Sequence, residues 1–523
     1  MSTAKSFIRI ENRNKKRPDI KYARVCTPQW VGKKKINNEI WLGRVVNIDD
    51  SIFYNREKGY FRYTIEDKFV NLSDDEIKRY KDVDKTPNIK KKKVNNNKDL
   101  NIQTSIQFGD IYIIDEFINN NNILSLFEFS CPRERDSILS LIGYRIINCK
   151  GYRYAEEWYN TSYAKYLYPF AQISSQRISE IMSKIGTERY HRDFFINYIN
   201  YLQKNGDTNS ILIDSTGLPN DIKCNLTAIN NHNGVISNEI RLIVVMDKIS
   251  GFPIYYQYVP GNIVDVSTLQ NILYNLQELN VNIDRLILDA GYYSEANLML
   301  LKELKIPFMT RMGQNNSKYD LLVKKFAPII KKPSNSVNYG SREVFIIKTQ
   351  IEVFNSQIPL FAYVCLDPNK QHDDYTKYKA KHDYSKITDE QFENDCMKHG
   401  IFILISTIDI PIDQLLPCYY SRQSIEQFFD FIKNDSNLLP LRTHKPITFS
   451  GHLMISFIST IVSLSIDKKL KEKKLSFTHG LYSLSHHFAR VYRNNIIPNV
   501  STKNINDICK ALKINIPKQI PLK

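Results

Sequence analysis

Two short apolar runs, each ending in aspartate, constrain the fold of this chain more than any other feature. Ile211-Leu212-Ile213 leads into Asp214-Ser215-Thr216-Gly217, and Leu286-Ile287-Leu288 leads into Asp289-Ala290-Gly291-Tyr292-Tyr293-Ser294. An apolar run of this length, closed by Asp and then small or turn-forming residues, reads as a buried strand that delivers a carboxylate at its end. Ser294 is suited to cap a helix beginning near Glu295. Around these runs the pattern is α/β. Strands are expected at 211–215, 241–247 and 252–258, the last two joined by the turn Lys248-Ile249-Ser250-Gly251. A helix over about 265–279, the strand ending at Asp289, a helix near 295–304 and a strand at 308–310 follow. Three antiparallel strands, a crossover helix and further parallel strands form the order of an RNase H-like sheet. That order brings Asp214 and Asp289 onto neighbouring strands.

A third carboxylate comes from a helical pattern. Tyr419, Arg422, Glu426 and Lys433 follow the spacing Y-x2-R-x3-E-x6-K. At about 100° per residue these four side chains fall within an arc of roughly 60°. Ile425, Phe428, Phe429 and Ile432 fall on a separate arc and anchor the helix to a core. One face then carries a carboxylate, two cations and a phenol, which suits a metal-bound DNA phosphate. The plainer reading is a solvated face with an ordinary Arg–Glu pair one turn apart. Two strand-borne aspartates and a helical glutamate favour the first reading. Three carboxylates suit two divalent ions about 3.5–4 Å apart, the arrangement that cleaves phosphodiesters. All-oxygen ligation selects Mg²⁺, with Mn²⁺ as a substitute, over Zn²⁺.

The 523 residues are too many for one simple core and carry a net charge of +17. Residues 1–100 hold 25 Lys/Arg against 14 Asp/Glu, residues 465–523 hold 12 against 3, and the middle is slightly acidic. Basic ends around an acidic centre suit a protein that grips a polyanion with its flanks, although Lys and Asn abundance also follows from an AT-rich genome. The eight cysteines are scattered with no C-x-x-C pair, which argues against a structural zinc site. They are expected to be reduced, in a cytoplasmic protein. No uninterrupted apolar run reaches membrane-spanning length, and 453–466 is expected to be a buried helix.

The segment boundaries expected from composition are as follows. Residues 1–84 form a basic, β-rich module with Trp30, Trp41, Tyr54, Tyr60 and Phe61, and 85–105 form a Lys/Asn-rich linker. A helical region covers 106–205, and the first part of the catalytic core 206–311. A β-rich insertion is expected at 312–411, with strands near 344–349, 358–366 and 401–406 and an unpatterned polar stretch at 367–398. The second part of the core, with the Glu426 helix, spans 412–470, and a basic C-terminal region 471–523.

Asp214, Asp289 and Glu426, with the complete Y-x2-R-x3-E-x6-K spacing, resemble the DDE triad and YREK signature of the insertion-sequence 4 type transposases. The stretch 289–294 resembles that group's D-x-G-Y-x-S segment, and 260–265 its G-N-x-x-D segment. The resemblance covers roughly residues 120–465. It implies an RNase H-like catalytic core interrupted by a β-rich insertion, and metal-dependent cleavage at insertion-sequence ends with strand transfer into target DNA. It implies double-stranded DNA as partner, a homodimer in a synaptic complex, and a prokaryotic, nucleoid-associated location. Tyr419, Arg422 and Lys433 would contact the DNA end. Some relatives use a Trp from the insertion to hold a flipped base, but Trp30, Trp41 and Trp158 all lie outside 312–411. Alternatives are a nuclease of the same fold without strand transfer, a remnant that only binds DNA, and a phosphotransferase acting through Asp214. The last wants D-x-D-x-T, whereas the third position here is Thr216.

Overall fold

The computed structural model describes residues 6–11, 21–31, 34–81, 104–148, 150–206, 210–220, 224–232, 235–263, 265–353, 359–381, 387–430 and 445–522. Two compact units are present, Met1–Lys98 and Asp99–Lys523. The lysine run at 90–93 lies outside the described residues.

The first unit is an antiparallel meander. Strands β1 (Phe7–Glu11), β2 (Tyr22–Val31), β3 (Lys34–Asn47), β4 (Ile52–Asn55), β5 (Gly59–Thr64) and β6 (Lys68–Asn71) lie side by side in chain order. One face buries Ala23, Val25, Leu42, Phe53, Phe61 and Tyr63. The alternation of these with Tyr22, Arg24, Tyr54, Tyr60 and Arg62 is the period of two that a half-buried strand requires.

The second unit begins with β7 (Thr104–Gln107) and a helical block that includes Gly109–Asn120, Pro132–Ile147, Ser175–Ile185 and Glu188–Asn205. The block closes around the helix Pro446–Glu472. That helix is long and apolar enough to cross a membrane, yet 78% of its most apolar window is buried in the protein. Its Phe457 packs against Phe194, Phe195, Tyr198, Tyr256 and Phe428, so it serves as a core helix and supports the signature segment from below.

The largest sheet among the described residues comprises β8 (Ser210–Pro219), β9 (Ala228–His232), β10 (Val235–Asp247), β11 (Pro253–Pro260), β12 (Arg285–Leu288), β13 (Phe308–Arg311), β14 (Ser336–Tyr339), β15 (Arg342–Ile351), β16 (Leu360–Leu366) and β17 (Ile401–Ser406). Their order is β11-β10-β8-β12-β13-β17-β16-β15-β14, with β9 paired to β10. Strand β12 is parallel to both β8 and β13, while β10 and β11 are antiparallel. This is the mixed order expected for an RNase H-like core. Core clusters cover both faces, one through Leu212, Ile287 and Met309 and the other through Ile211, Ile213, Leu286 and Leu288. Strands β18 (Phe488–Val491), β19 (Asn495–Pro498) and β20 (Ile520–Pro521) join β7 in a separate four-stranded sheet.

Residues 312–411 depart from the β-rich expectation. Among the described residues they hold β14–β17 and also the helices Ser317–Phe326, Pro368–Lys381 and Asp389–Lys398. Their strands extend the same sheet through the β13–β17 pair. The polar stretch 367–398 supplies two of these helices. One starts at a capping box, with Thr388 accepting from the Gln391 backbone and Gln391 reaching back. The sequence T-x-x-Q carries this start signal, but a helix with no buried residue has no apolar stripe to reveal it.

The helix Pro446–Glu472 crosses Ser175–Ile185 at glycine. A Cβ on Gly451 would fall on the backbone carbonyl of Met182, and one on Gly186 on the carbonyl of Ile447. Backbone cannot yield as a side-chain tip can, so Gly451→Ala is expected to cost about 1–3 kcal/mol. Gly151→Ala, where a Cβ meets nothing within 4 Å, should leave the denaturant midpoint unchanged. Equal midpoints for the two variants would show that the crossing relaxes.

Candidate active site

Register aligns the two aspartates. Leu286 pairs with Ile211 and Leu288 with Ile213 in the parallel β8–β12 ladder. One residue further, Asp214 and Asp289 therefore stand level. Alternation puts them on the face of Leu212 and Ile287, the face whose core includes Tyr419, Ile425, Phe428 and Phe429. Asp214 does not end its strand, contrary to the sequence expectation. The long β10 pairs with β8 as far as Pro219, and Asp214 lies opposite Val244. What ends there is the pairing with β12.

The signature segment is not one helix. A helix Ile412–Tyr420 stops, and another runs from Gln423 to Asp430. Between them the backbone tightens: Arg422 N–H donates to Tyr419 O at 3.3 Å and Ile425 N–H to Arg422 O at 2.9 Å, a 3₁₀ pattern. Two serines promote the break. Ser421 Oγ donates to Cys418 O at 2.7 Å and Ser424 Oγ to Ser421 O at 2.8 Å, competing with helical bonding. The face predicted from 100° steps is thus re-aimed between Tyr419 and Glu426.

The break places Arg422 between the aspartates. Its Nη1 donates to Asp289 Oδ1 at 2.6 Å and to Tyr419 Oη at 3.1 Å, and its Nη2 donates to Asp214 Oδ2 at 3.0 Å. The guanidinium also lies 5.5 Å from the Tyr419 ring centroid. The expectation of an exposed cation is therefore corrected, since only 14% of the Arg422 side chain is exposed. Tyr419 is buried in the core cluster rather than displayed on an open face. Glu426 is exposed, on the helix whose Ile425, Phe428 and Phe429 are buried. Among the described residues no group of three His, Cys, Asp or Glu side chains gathers closely enough to hold a metal ion. Lys433 and Ile432 lie outside the described residues.

Burial dominates the local electrostatics. It pushes the Asp214 carboxyl up to about 6, with Asp289 adding to the rise and Arg422 opposing it. Burial likewise pushes the Tyr419 phenol up to about 12. For Arg422 burial acts downward, but the charges of Asp214 and Asp289 outweigh it and hold the guanidinium protonated.

A second polar network supports the first from the other face of the sheet. Ser215 Oγ donates to Asp265 Oδ1 at 2.6 Å, and Arg241 Nη1 reaches Asp265 Oδ1 at 2.9 Å and Ser215 Oγ at 3.0 Å. Glu239 lies 3.8 Å from Arg241. A Cβ on Gly291 would lie 3.0 Å from Asp265 Oδ2, so this network touches both aspartate segments. Thr310 Oγ1 donates to Asp289 O at 3.2 Å. Sequence reasoning missed Arg241. Its signal is a lone cation inside the apolar run 240–246, a position that needs a buried partner.

Arg422→Ala would leave two adjacent carboxylates without their cation. The expected cost is on the order of 2–3 kcal/mol, below that of a fully buried pair because 37% of the Asp289 side chain is exposed. Arg422→Lys should recover only part, since a point charge cannot reproduce both forked contacts. Chemical denaturation measures both, and an unchanged midpoint for the Ala variant would contradict the arrangement.

Comparison with known proteins bears on what this geometry is for. No curated protein sequence matches the chain. Among solved structures it is similar to a piggyBac transposase in a synaptic complex with hairpin DNA, at 12% identity over 72% of this chain and 77% of that chain, with a TM-score of 0.36. It is also similar to the Drosophila P element transposase in a strand transfer complex, at 11% identity over 69% and 86%, with a TM-score of 0.22. Residues 206–462 match the family model of the transposase DDE domain. This matched segment carries Asp214, Asp289, Arg422 and Glu426.

Proposed function

We propose that this chain is a DNA transposase that cleaves at insertion-sequence ends and joins them to target DNA, with Asp214, Asp289 and Glu426 as its metal-binding carboxylates. The observation that supports this most is the pair Asp214 and Asp289, gathered onto one guanidinium within the segment that matches the transposase DDE domain model. Two carboxylates that converge on a single cationic group also suit a hard divalent cation, Mg²⁺ with Mn²⁺ as a substitute. When bound, such ions activate the attacking oxygen and stabilise the leaving one.

The roles of the chain's own residues follow. Asp214 and Asp289 would hold the metal ions from the sheet, and Glu426 would complete the set from the adjoining helix. Arg422 holds the same carboxylate oxygens that would hold a metal ion, so with those oxygens taken up by a cation its guanidinium would be available to a DNA phosphate. Tyr419 backs it and Lys433 joins it on the DNA end. The basic residues of 1–100 and 465–523 grip duplex DNA through its phosphates. The acting form is a homodimer bridging two ends in the prokaryotic cytoplasm.

One observation favours a second reading, a descendant that only binds DNA: Glu426 is not gathered with the two aspartates among the described residues. Nicking separates the readings. On a labelled duplex carrying the DNA that flanks the reading frame, the parent with Mg²⁺ should nick and then give a joined product. Asp214→Asn, Asp289→Asn and Glu426→Gln should each abolish nicking while duplex binding stays nearly intact. Nicking by the Asp289→Asn protein would remove that residue from the site. Nicking without joining would mark a nuclease, and a parent that binds without nicking would mark the remnant.

A further inference from the structure

The N-terminal sheet has one apolar face and one that is aromatic and cationic. Cross-strand register defines the second face. Tyr22 on β2 pairs with Arg44 on β3, Arg44 with Tyr54 on β4, and Tyr54 with Tyr60 on β5. Directly paired residues share a face, so these four form one row across four strands, opposite the core of Phe53 and Phe61. The row spans about 14 Å at roughly 4.8 Å per strand. Trp41 extends it, stacked on Tyr22 with ring centroids 5.8 Å apart and planes 19° apart. Tyr54 and Tyr60 are 4.8 Å apart, and the Arg44 guanidinium lies 5.8 Å from the Tyr54 centroid. Trp41 is 44% exposed, and Tyr22, Arg44, Tyr54 and Tyr60 are half-buried. Arg24, next in the pattern, is matched by Glu11 and Glu39.

We propose that this row binds unpaired DNA bases by stacking on Trp41, Tyr22, Tyr54 and Tyr60, with Arg44 serving the backbone between them. The inference rests on the reading that the chain acts on DNA, and names the form of DNA that this one face of the module takes, beside the duplex its other basic residues grip. A duplex hides its base faces and offers grooves that admit a helix or a two-stranded ribbon. The broad face of a six-stranded sheet enters neither. Unpaired bases present the π-faces that an aromatic row accepts, and a sheet of this width accommodates two or three of them. The net +11 of residues 1–100 complements the phosphates. Cross-strand aromatic pairs also stabilise sheets with no ligand at all, so the experiment must separate binding from folding.

The probe is a fluorescein-labelled oligo(dT) of about 15 nucleotides, near the upper site size of a single-strand-binding sheet domain, titrated with the full chain beside a duplex of equal length. Trp41→Ala combined with Tyr54→Ala should weaken oligo(dT) binding by about 10–100-fold and alter duplex binding by less than about twofold. Trp41→Phe and Tyr54→Phe, which keep a ring, should bind like the parent and guard against a folding artefact. Arg44→Gln should lower the slope of log K against log salt by about 0.7 for the single strand. Oligo(dT) binding by the double Ala variant at parent strength would overturn the proposal, as would an equal loss on duplex. Failure here is distinguishable from failure of the functional reading. A parent that nicks its end duplex but ignores oligo(dT) loses only this inference.

Discussion

Two carboxylates brought level by parallel strands repel each other unless a cation lies between them, and in this protein Arg422 is that cation. Its two terminal nitrogens contact Asp214 at 3.0 Å and Asp289 at 2.6 Å. Residues 208 and 133 positions apart in sequence are thereby tied together. The β8–β12 register, the break before Gln423 and the burial of Tyr419 are all needed to set this triangle. Removing any one would leave a charge in a site that burial has already made unfavourable for the ionised carboxyl of Asp214.

The rest of the second unit holds that triangle from two sides. Beneath the sheet, Ser215, Asp265 and Arg241 fix the strand just past Asp214 and press against Gly291 just past Asp289. Above it, Phe428 of the signature segment lies 6.5 Å from Phe457 of the central helix. Strands β14–β17 lengthen the same sheet, so residues 312–411 are anchored to the core by a backbone ladder. Tyr339 of β14 stacks on Tyr420, 5.3 Å away, beside Tyr419.

What could be read in the sequence was local or periodic. The apolar runs before Asp214 and Asp289, the Lys248–Gly251 hairpin turn and the Ser294 cap, which accepts from the Asn297 backbone, each rest on residues within a few positions of one another. The structure has all of them. What could not be read depends on distant partners or on competing short-range bonds. Arg422 looked like a surface cation because nothing near it in sequence hints at two carboxylates more than a hundred residues away. The helix break was hidden because Ser421 and Ser424 fit a helix by pattern and leave it by back-bonding. The helices of 367–398 lack a buried face, so only the Thr388 capping box announces one of them.

The central claim is that the oxygens held by Arg422 are the oxygens that hold the catalytic ions. Anomalous diffraction from crystals of the full chain soaked in Mn²⁺ addresses it without relying on turnover. The account predicts a manganese peak on Asp214 and Asp289 with the Arg422 guanidinium displaced from both. Manganese bound elsewhere, with Arg422 still bridging the two aspartates at millimolar metal, would contradict it.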